Sequence, residues 1–273
     1  MKAAVLGAPI AHSLSPVLHR AAYQALGLTG WSYEAIECDT ARLPAVLDGC
    51  GPGWAGLSLT MPLKRAVLPL LDHVDPLARD VGAANTVVFT GGQRHGHNTD
   101  VPGMIAALAE AGVTGLAGPA TVLILGGGAT ACSALAAVRG LGAARATAAV
   151  RDPDRARDLL AAAARLAVGL TLTSFDEPEV TAPDVLISTV PAGAADFHAK
   201  RIAHKTLTPR HLLDVVYHPW PTPLAVSARR ADIPVAGGFA LLLHQAAGQV
   251  ELMTGKPAPL AAMRTAGESA LSV

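Results

Sequence analysis

Lys64 and Asp100 are the residues of this sequence whose types and positions best suit proton transfer. Lys64 lies in SLTMPLK, in the first turn of an expected helix, just after a strand that carries Ser58 and Thr60 near its end. Asp100 closes HNTD, directly before another expected helix. An ammonium group and a carboxylate that meet can hold or transfer a proton at a reacting oxygen. Each residue also has an ordinary explanation, as an exposed lysine and as a helix N-cap respectively.

Two further segments carry polar groups that suit a small polar ligand. Ser13 and Ser15 stand two residues apart in GAPIAHSLSP, and Pro16 is expected at the first position of a helix. We expect Ser15 to be the N-cap, and the two hydroxyls beside the positive helix end can hold a carboxylate. Asn85 in GAANT both donates and accepts, which suits a substrate hydroxyl, although an Asx turn would also explain it.

The segment TVLILGGGATA fits the pattern G-x-G-x-x-A at Gly126, Gly128 and Ala131. An apolar strand precedes the glycines and a helix follows them, which is the order that a dinucleotide-binding turn requires. The first glycine permits the tight turn, the second permits close approach of a pyrophosphate, and Ala131 permits close packing of helix on strand. The sequence therefore predicts a Rossmann-type site here, although a βα turn of small residues that serves packing alone is the alternative.

The end of the following strand, AVRDPDRA, bears on the choice of cofactor. Arg151 and Arg155 present guanidinium groups that suit the 2′-phosphate of NADP. Asp152 lies between them and keeps NAD open, because an acidic residue here accepts the ribose hydroxyls of NAD. Asp152 followed by Pro153 also reads as the N-cap of the next helix. The sequence favours NADP.

Composition excludes several classes of protein. The 273 residues are 51% hydrophobic and 15% charged, which is enough to build a large core. Lys and Arg together equal Asp and Glu together, at 21 each, so no basic field would attract nucleic acid. Three cysteines without C-x-x-C spacing predict neither a disulfide framework nor a metal site, and they suit a reducing, cytoplasmic compartment. The uncharged stretch 113–138 is interrupted by glycines and a proline, so we expect no membrane span.

Strand-like and helix-like segments alternate along the chain, which predicts an α/β protein with largely parallel sheets. We expect two domains with the ligand cleft between them. The first is an α/β substrate domain with a mostly parallel sheet, formed by residues 1–112 and completed by about 239–273. The second, residues 113–238, is a Rossmann dinucleotide-binding domain. The boundary is placed at the glycine- and proline-rich segment 112–119.

Seven motifs in order make the chain resemble the shikimate dehydrogenase family from about Val5 to Gly255. They are GAPIAHSLSP, SLTMPLK, GAANT, HNTD, GGGATA, DVVYHPWPTPL and GGFALLLHQA. The resemblance implies the reversible reduction of 3-dehydroshikimate to shikimate by NADPH, on the route to aromatic amino acids. It implies that Lys64 and Asp100 are the catalytic pair at the C3 oxygen.

The resemblance also implies roles for the other motif residues. The substrate carboxylate would be held by Ser13 and Ser15 with help from Tyr217, and the rest of the substrate by Thr60, Asn85 and Gln245. The cofactor would be bound by Gly126, Gly127, Gly128 and Ala129 at the pyrophosphate, by Arg151 and Arg155 at the adenosine phosphate, and by Thr189, Val190 and Gly238 near the nicotinamide.

The chain departs from the family pattern at two places. Val150, Arg151 and Asp152 stand where the family usually has N-R-T, which bears on cofactor preference. Ala240 and Leu241 stand where Gly and Met are common, which bears on packing near the nicotinamide. Two alternatives stay open: an NAD-using quinate/shikimate dehydrogenase, and a non-catalytic relative that binds shikimate for regulation. Retention of both Lys64 and Asp100 argues against the second. The protein is expected to be a monomer or a homodimer.

Overall fold

The computed structural model describes residues 1–116 and 118–272, apart from the side chain of Arg155. The chain divides into two compact units, Met1–Asp100 with Leu243–Val273, and Val101–Leu242. The sequence placed the first boundary at residue 112, whereas the contacts assign the helix after Asp100 to the second unit.

The strands, in chain order, are β1 (Lys2–Gly7), β2 (Ser32–Glu37), β3 (Trp54–Leu59), β4 (His73–Val74), β5 (Thr86–Thr90), β6 (Gln93–His97), β7 (Val122–Leu125), β8 (Arg145–Val150), β9 (Gly169–Ser174), β10 (Val185–Ser188), β11 (His211–Asp214) and β12 (Val235–Gly237). The helices are α1 (Ser15–Ala25), α2 (Leu43–Asp48), α3 (Leu63–Ala66), α4 (Pro76–Val81), α5 (Asp100–Glu110), α6 (Ala129–Gly140), α7 (Arg157–Arg165), α8 (Asp196–Ala203), α9 (Pro223–Arg230), α10 (Gly238–Thr254) and α11 (Leu260–Leu271). Short 3₁₀ turns cover Leu68–Leu70 and Pro153–Ala156.

The first unit contains a mixed sheet with the strand order β2-β1-β3-β5-β6-β4. Strand β1 pairs in parallel with β2 and β3, and β4 pairs in parallel with β6. Strand β5 runs antiparallel to both of its neighbours, and it forms a hairpin with β6 around Gly91 and Gly92. Leu6, Leu57 and Val87 from three adjacent strands lie in the apolar core of this unit.

A helix begins directly after Pro62 in the segment MPLKRAVLPLLD, but it is short. Helix α3 ends at Ala66, and a 3₁₀ turn follows at Leu68–Leu70. Pro69 lies in that turn, and a proline inside a helix removes one backbone hydrogen bond and clashes with the preceding turn. Lys64 is the second residue of this short helix, five residues after the end of β3.

The second unit contains a fully parallel sheet with the order β12-β11-β10-β7-β8-β9. This is the doubly wound Rossmann order, so the predicted fold class is confirmed. Strand β7 is at most 1% exposed along Val122–Leu125, as expected for a central strand covered on both faces. Within the described residues, no helix has both the length and the apolar character needed to cross a bilayer.

Candidate active site

The structure brings Lys64 and Asp100 together. Lys64 Nζ donates to Asp100 Oδ2 over 2.6 Å, and the two side chains are 16% and 7% exposed. Lys64 lies in the short helix after β3, and Asp100 is the first residue of α5. A short hydrogen bond between two ions, mostly removed from water, is much stronger than an exposed ion pair. The pair is therefore held in one geometry while a small part of the ammonium remains accessible.

Asn85 binds the second oxygen of the same carboxylate. Its Oδ1 accepts the backbone N–H of Thr99 over 2.8 Å, and a backbone N–H can only donate. This contact fixes the amide orientation, so Nδ2 is the atom that faces Asp100 Oδ1 at 2.9 Å. Both carboxylate oxygens of Asp100 thus receive an N–H donor.

Gln245 joins this group from helix α10. Its Oε1 accepts from Asn85 Nδ2 over 3.2 Å, and the residue is 8% exposed. Thr60 lies just beyond β3, where its backbone N–H donates to Leu6 O over 2.9 Å. Asn85 and Gln245 are therefore in direct contact, and Thr60 lies between β3 and α3, four residues before Lys64.

Gln249, one helical turn after Gln245, is a buried polar residue that sequence reasoning missed. It is 1% exposed and contacts Ser58 and Thr86, which are directly paired across strands β3 and β5. Paired residues on antiparallel strands project to the same sheet face, so one side chain from α10 reaches both. The i, i+4 spacing of the two glutamines was the available signal, because it places both on one helix face.

The two serines differ from the prediction. Ser15 is the first residue of α1 and not its N-cap; Leu14 occupies the cap position and makes no side-chain capping bond. Instead, Ser13 Oγ accepts the backbone N–H of Ser15 over 3.3 Å. The helix begins one residue earlier than expected, so that Pro16 falls at its second position. The hydroxyl that supports the helix start is consequently that of Ser13.

A buried aromatic stack lies behind this helix start. The rings of His19 and Tyr33 are 3.9 Å apart between centroids, at an angle of 17°. His19 Nδ1 lies 2.9 Å from Ser15 O, and since a carbonyl only accepts, Nδ1 carries the hydrogen. Burial lowers the pKa of His19 to about 4. The imidazole is thus neutral and apolar in character near Ser15.

The glycine turn of the second unit has the backbone features of a nucleotide site. Gly126 has φ +114°, and a Cβ there would lie 2.6 Å from Thr189 Oγ1, so only glycine fits. A Cβ on Gly128 would meet no atom within 4 Å, which leaves its backbone open to a ligand. Helix α6 begins at Ala129 with free N–H groups and runs for twelve residues. These features fit a pyrophosphate at the helix N-terminus.

The residues after β8 take up positions compatible with the predicted adenosine side. Arg151 is exposed, and its guanidinium carbon lies 5.0 Å from the centroid of the Phe175 ring. Asp152 Oδ1 accepts the backbone N–H of Asp154 over 3.0 Å, so it caps the 3₁₀ turn that begins at Pro153. The side chain of Arg155 lies outside the described residues.

The remaining predicted cofactor and substrate residues of the second unit follow β10, β11 and β12. Thr189 Oγ1 donates to Leu125 O over 2.7 Å, and Val190 packs against the apolar core. A Cβ on Gly238 would collide with the carbonyl of Val215, so backbone approaches backbone closely there. Tyr217 lies in the same segment, three residues after Asp214 and partly buried.

Asp214 is a second buried residue that the sequence did not single out. It is 2% exposed, and burial raises the pKa of its carboxyl group. Thr222 Oγ1 donates to its Oδ2 over 2.6 Å, and the backbone N–H of Val216 donates to its Oδ1 over 3.3 Å. Asp214 thus ties the segment that carries Tyr217 to the start of α9.

The second unit has an all-parallel Rossmann sheet with an open glycine turn, and the first unit holds a shielded lysine–carboxylate pair. These two features define a Rossmann-type dehydrogenase. The chain is 35% identical to the shikimate dehydrogenase (NADP(+)) of Moorella thermoacetica, over 95% of this chain and 90% of that protein. It belongs to the shikimate dehydrogenase family, which confirms the resemblance carried by its seven motifs. Two family models match: the shikimate dehydrogenase substrate binding domain at residues 5–87 and the shikimate 5'-dehydrogenase C-terminal domain at 238–266.

Solved structures of the family are also similar. The Mycobacterium tuberculosis shikimate dehydrogenase is 44% identical with a TM-score of 0.88, covering 98% of this chain and 99% of that one. The quinate dehydrogenase of Corynebacterium glutamicum, solved with NAD, is 28% identical with a TM-score of 0.85, covering 98% and 99%.

Proposed function

We propose that this protein catalyses the reversible, NADPH-dependent reduction of 3-dehydroshikimate to shikimate in aromatic amino-acid biosynthesis. The observation that carries the proposal is the 2.6 Å contact between Lys64 Nζ and Asp100 Oδ2, with Asn85 on the other carboxylate oxygen. A protein that only binds its ligand needs no such pair, whereas a ketone that is reduced must gain a proton on oxygen.

Lys64 and Asp100 divide the proton chemistry between them. As the C3 carbonyl becomes an alkoxide, Lys64 Nζ donates a proton or a hydrogen bond to that oxygen. One of the three N–H groups of Lys64 is held by Asp100, which leaves two for substrate. Asp100 orients the ammonium group of Lys64. In the reverse reaction, the oxidation of shikimate, Asp100 accepts a hydrogen bond from the substrate hydroxyl. Preorganised donors of this kind stabilise developing negative charge without reorganisation at the moment of reaction.

Substrate and cofactor are assigned to residues of the two units. In the first unit, Ser13 and Ser15 bind the carboxylate, and Thr60, Asn85 and Gln245 bind the rest of the substrate. NADP, which supplies hydride when bound, is held at its pyrophosphate by Gly126, Gly127, Gly128 and Ala129. Arg151 and Arg155 bind the 2′-phosphate, and Thr189, Val190 and Gly238 border the nicotinamide. The open backbone at Gly128 supports this fit.

An assay with four substrate and cofactor pairs tests the proposal. Purified protein is mixed with shikimate or quinate and with NADP⁺ or NAD⁺, and formation of reduced nicotinamide is followed by its absorbance. We expect the highest kcat/KM for shikimate with NADP⁺. The absence of turnover with every pair, combined with measurable shikimate binding by calorimetry, would instead support a regulatory, non-catalytic protein.

A second candidate function is the oxidation of quinate with NAD⁺. Asp152 favours it, because a carboxylate after β8 suits the ribose hydroxyls of NAD and repels a 2′-phosphate. The capping bond from Asp154 N engages only Oδ1 of Asp152. A higher kcat/KM for quinate with NAD⁺ would identify this activity. We further propose that the protein acts in the cytoplasm as a monomer or homodimer, which size-exclusion chromatography with light scattering would distinguish.

A further inference from the structure

We propose that Gln249 is a positioning residue for the catalytic carboxylate Asp100, an inference that rests on the proposed function. Gln249 touches neither Lys64 nor Asp100. It acts through Thr86 and the backbone of Asn85, which fix the position of the Asn85 side chain, while the backbone N–H of Thr99 orients its amide with Nδ2 towards Asp100.

The hydrogen bonds of Gln249 have only one possible direction. Gln249 Nε2 lies 3.2 Å from the backbone carbonyl of Asn85, and a carbonyl only accepts. The atom facing that carbonyl must therefore be the amide nitrogen, so Gln249 Oε1 faces Ser58 Oγ at 2.8 Å and accepts its hydrogen. Having given its single hydrogen away, the Ser58 hydroxyl accepts from Tyr33 Oη over 2.6 Å.

The same reasoning continues from Gln249 to the carboxylate. Gln249 Nε2 also donates to Thr86 Oγ1 over 3.1 Å, so the Thr86 hydroxyl is free to donate to Asn85 Oδ1 over 2.9 Å. The Thr86 hydroxyl is thus a further donor to Asn85 Oδ1, beside the backbone N–H of Thr99 that sets the amide orientation, and Nδ2 contacts Asp100 Oδ1. A continuous series of hydrogen bonds thus runs from Tyr33 to Asp100, and Gln249 lies at its centre. Its members, in order, are Tyr33, Ser58, Gln249, Thr86, Asn85 and Asp100.

Burial makes this series of hydrogen bonds cooperative. Ser58 is 3% exposed, Asn85 and Gln249 are 1% exposed, and Thr86 is fully buried. Water has little access to replace a lost partner, and a buried polar network is costly when only partly satisfied. Loss of the Gln249 hydrogen bonds should therefore displace the Asn85 side chain, and this displacement should lower both the rate of turnover and the stability of the protein.

Two variants separate the shape of Gln249 from its polarity. Gln249→Met keeps the length and removes every hydrogen bond, while Gln249→Glu keeps the shape and places an acceptor against the Asn85 carbonyl. Thr86→Val and Thr86→Ser test the next link, because Ser retains the hydroxyl that Val lacks. Val250→Ala is the matched control, since Val250 is a fully buried apolar neighbour on the same helix.

The measurements are kcat, KM for shikimate, the pH profile of kcat, and the urea midpoint of unfolding. We expect Gln249→Met and Thr86→Val each to lower kcat by about tenfold to hundredfold, with KM changed by less than about threefold. Gln249→Glu should also shift the pH profile of kcat. Thr86→Ser should restore most of the activity, and the double variant Thr86→Val/Gln249→Met should be no slower than either single one. Val250→Ala should lower the urea midpoint and leave kcat within about twofold.

The proposal is overturned if Gln249→Met lowers kcat no more than Val250→Ala does, or if the effects of Thr86→Val and Gln249→Met simply multiply. If wild-type protein lacks turnover with every substrate pair, the proposed function fails, but the positioning role is still testable by crystallography. Because the backbone N–H of Thr99 still orients the amide, crystals of Thr86→Val and Gln249→Met should then show Asn85 Nδ2 displaced from Asp100 Oδ1 and not flipped. An unchanged contact near 2.9 Å in both variants would refute the positioning role by itself.

Discussion

The hydroxyl oxygen of Ser13 accepts the backbone N–H of Ser15 over 3.3 Å, so the first of the two serines supports the start of α1. This reverses the assignment expected from Ser15 and Pro16. The proposed carboxylate site therefore combines one hydroxyl that is tied to the helix start with one on the first helical residue.

The two serines should respond differently to alanine. Ser13→Ala should cost about 0.5–1 kcal/mol in the free energy of unfolding, as loss of a capping acceptor does, and should also raise KM for shikimate. Ser15→Ala should raise KM with a smaller loss of stability. Urea titration and steady-state kinetics check both. Equal stability losses in the two variants would contradict the assignment of the supporting hydroxyl to Ser13.

Removal of Lys64 should separate turnover from binding. Lys64→Ala should reduce kcat by about two to four orders of magnitude, the range of general acid–base catalysis, while leaving the Kd for shikimate nearly unchanged. Steady-state kinetics measures kcat, and calorimetry measures the Kd for shikimate. Lys256→Ala, at an exposed lysine, serves as the control and should behave like wild type. Near-normal turnover of Lys64→Ala would remove Lys64 from the mechanism.

Two glycines of the same turn should separate folding from cofactor binding. Gly126→Ala forces φ +114° on a residue with a Cβ and places that atom 2.6 Å from Thr189 Oγ1, so it should destabilise the second unit by about 1–3 kcal/mol. Gly128→Ala meets no atom and should fold normally, yet weaken NADP binding by blocking close approach to the backbone. Thermal unfolding and fluorescence titration with NADPH measure these effects. Normal NADPH affinity in Gly128→Ala would place the pyrophosphate elsewhere.

Cofactor preference should depend on two neighbouring charges. Arg151→Ala should lower kcat/KM with NADP⁺ by about tenfold and leave that with NAD⁺ almost unchanged, because only NADP carries the 2′-phosphate. Asp152→Asn retains a capping oxygen for Asp154 N and removes a negative charge, so it should raise the NADP⁺ to NAD⁺ ratio. The ratio of the two kcat/KM values is the quantity to compare. A ratio that neither variant moves would show that this loop does not choose the cofactor.

Acid should destabilise the first unit through His19. Because burial lowers the pKa of His19 from its ordinary 6.5 to about 4, the unfolded chain binds a proton there before the folded chain does. Stability is therefore full above about pH 6.5 and falls by about 3 kcal/mol as the pH drops to 4. His19→Asn keeps an N–H donor for Ser15 O. In this variant the urea midpoint of unfolding should depend less on pH between about 6.5 and 4 than it does in wild type.

His198 provides an internal comparison for that experiment. Burial also lowers its pKa to about 4, and it lies in the second unit. His19→Asn should consequently leave the acid sensitivity due to His198 in place. If the urea midpoint of His19→Asn falls with pH as steeply as that of wild type, protonation of His19 does not contribute to the loss of stability in acid.

The sequence predicted those parts of the molecule that depend on local pattern. The glycine turn with its flanking strand and helix indicated the Rossmann sheet, and the positions of Lys64 and Asp100 at element ends indicated a possible pair. Helices α4, α8 and α11 were missed, because short or alanine-, glycine- and serine-containing segments carry a weak periodic signal. The functional interpretation depended on seven motifs together, since each residue alone has an ordinary structural explanation.

The role of Gln249 could not be predicted from local pattern. Its partner Ser58 is 191 residues away in the sequence, and nothing near either residue shows that they meet. Only the pairing of Ser58 with Thr86 across two antiparallel strands, and the placement of α10 over them, creates the contact. Buried polar networks are tertiary features, and their direction follows from which groups can only accept or only donate.

The discontinuity of the first unit has a consequence for biosynthesis. Gln245 and Gln249 belong to that unit but follow the whole of Val101–Leu242 in the chain. A ribosome therefore synthesises the whole of Val101–Leu242 before it adds Gln245 and Gln249, the partners that α10 supplies to Asn85 and Ser58. Until α10 emerges, the buried amide and hydroxyls of the early segment must find water or other partners. The geometry proposed for catalysis is thus assembled among the last events of synthesis, although most of its residues are among the first to be translated.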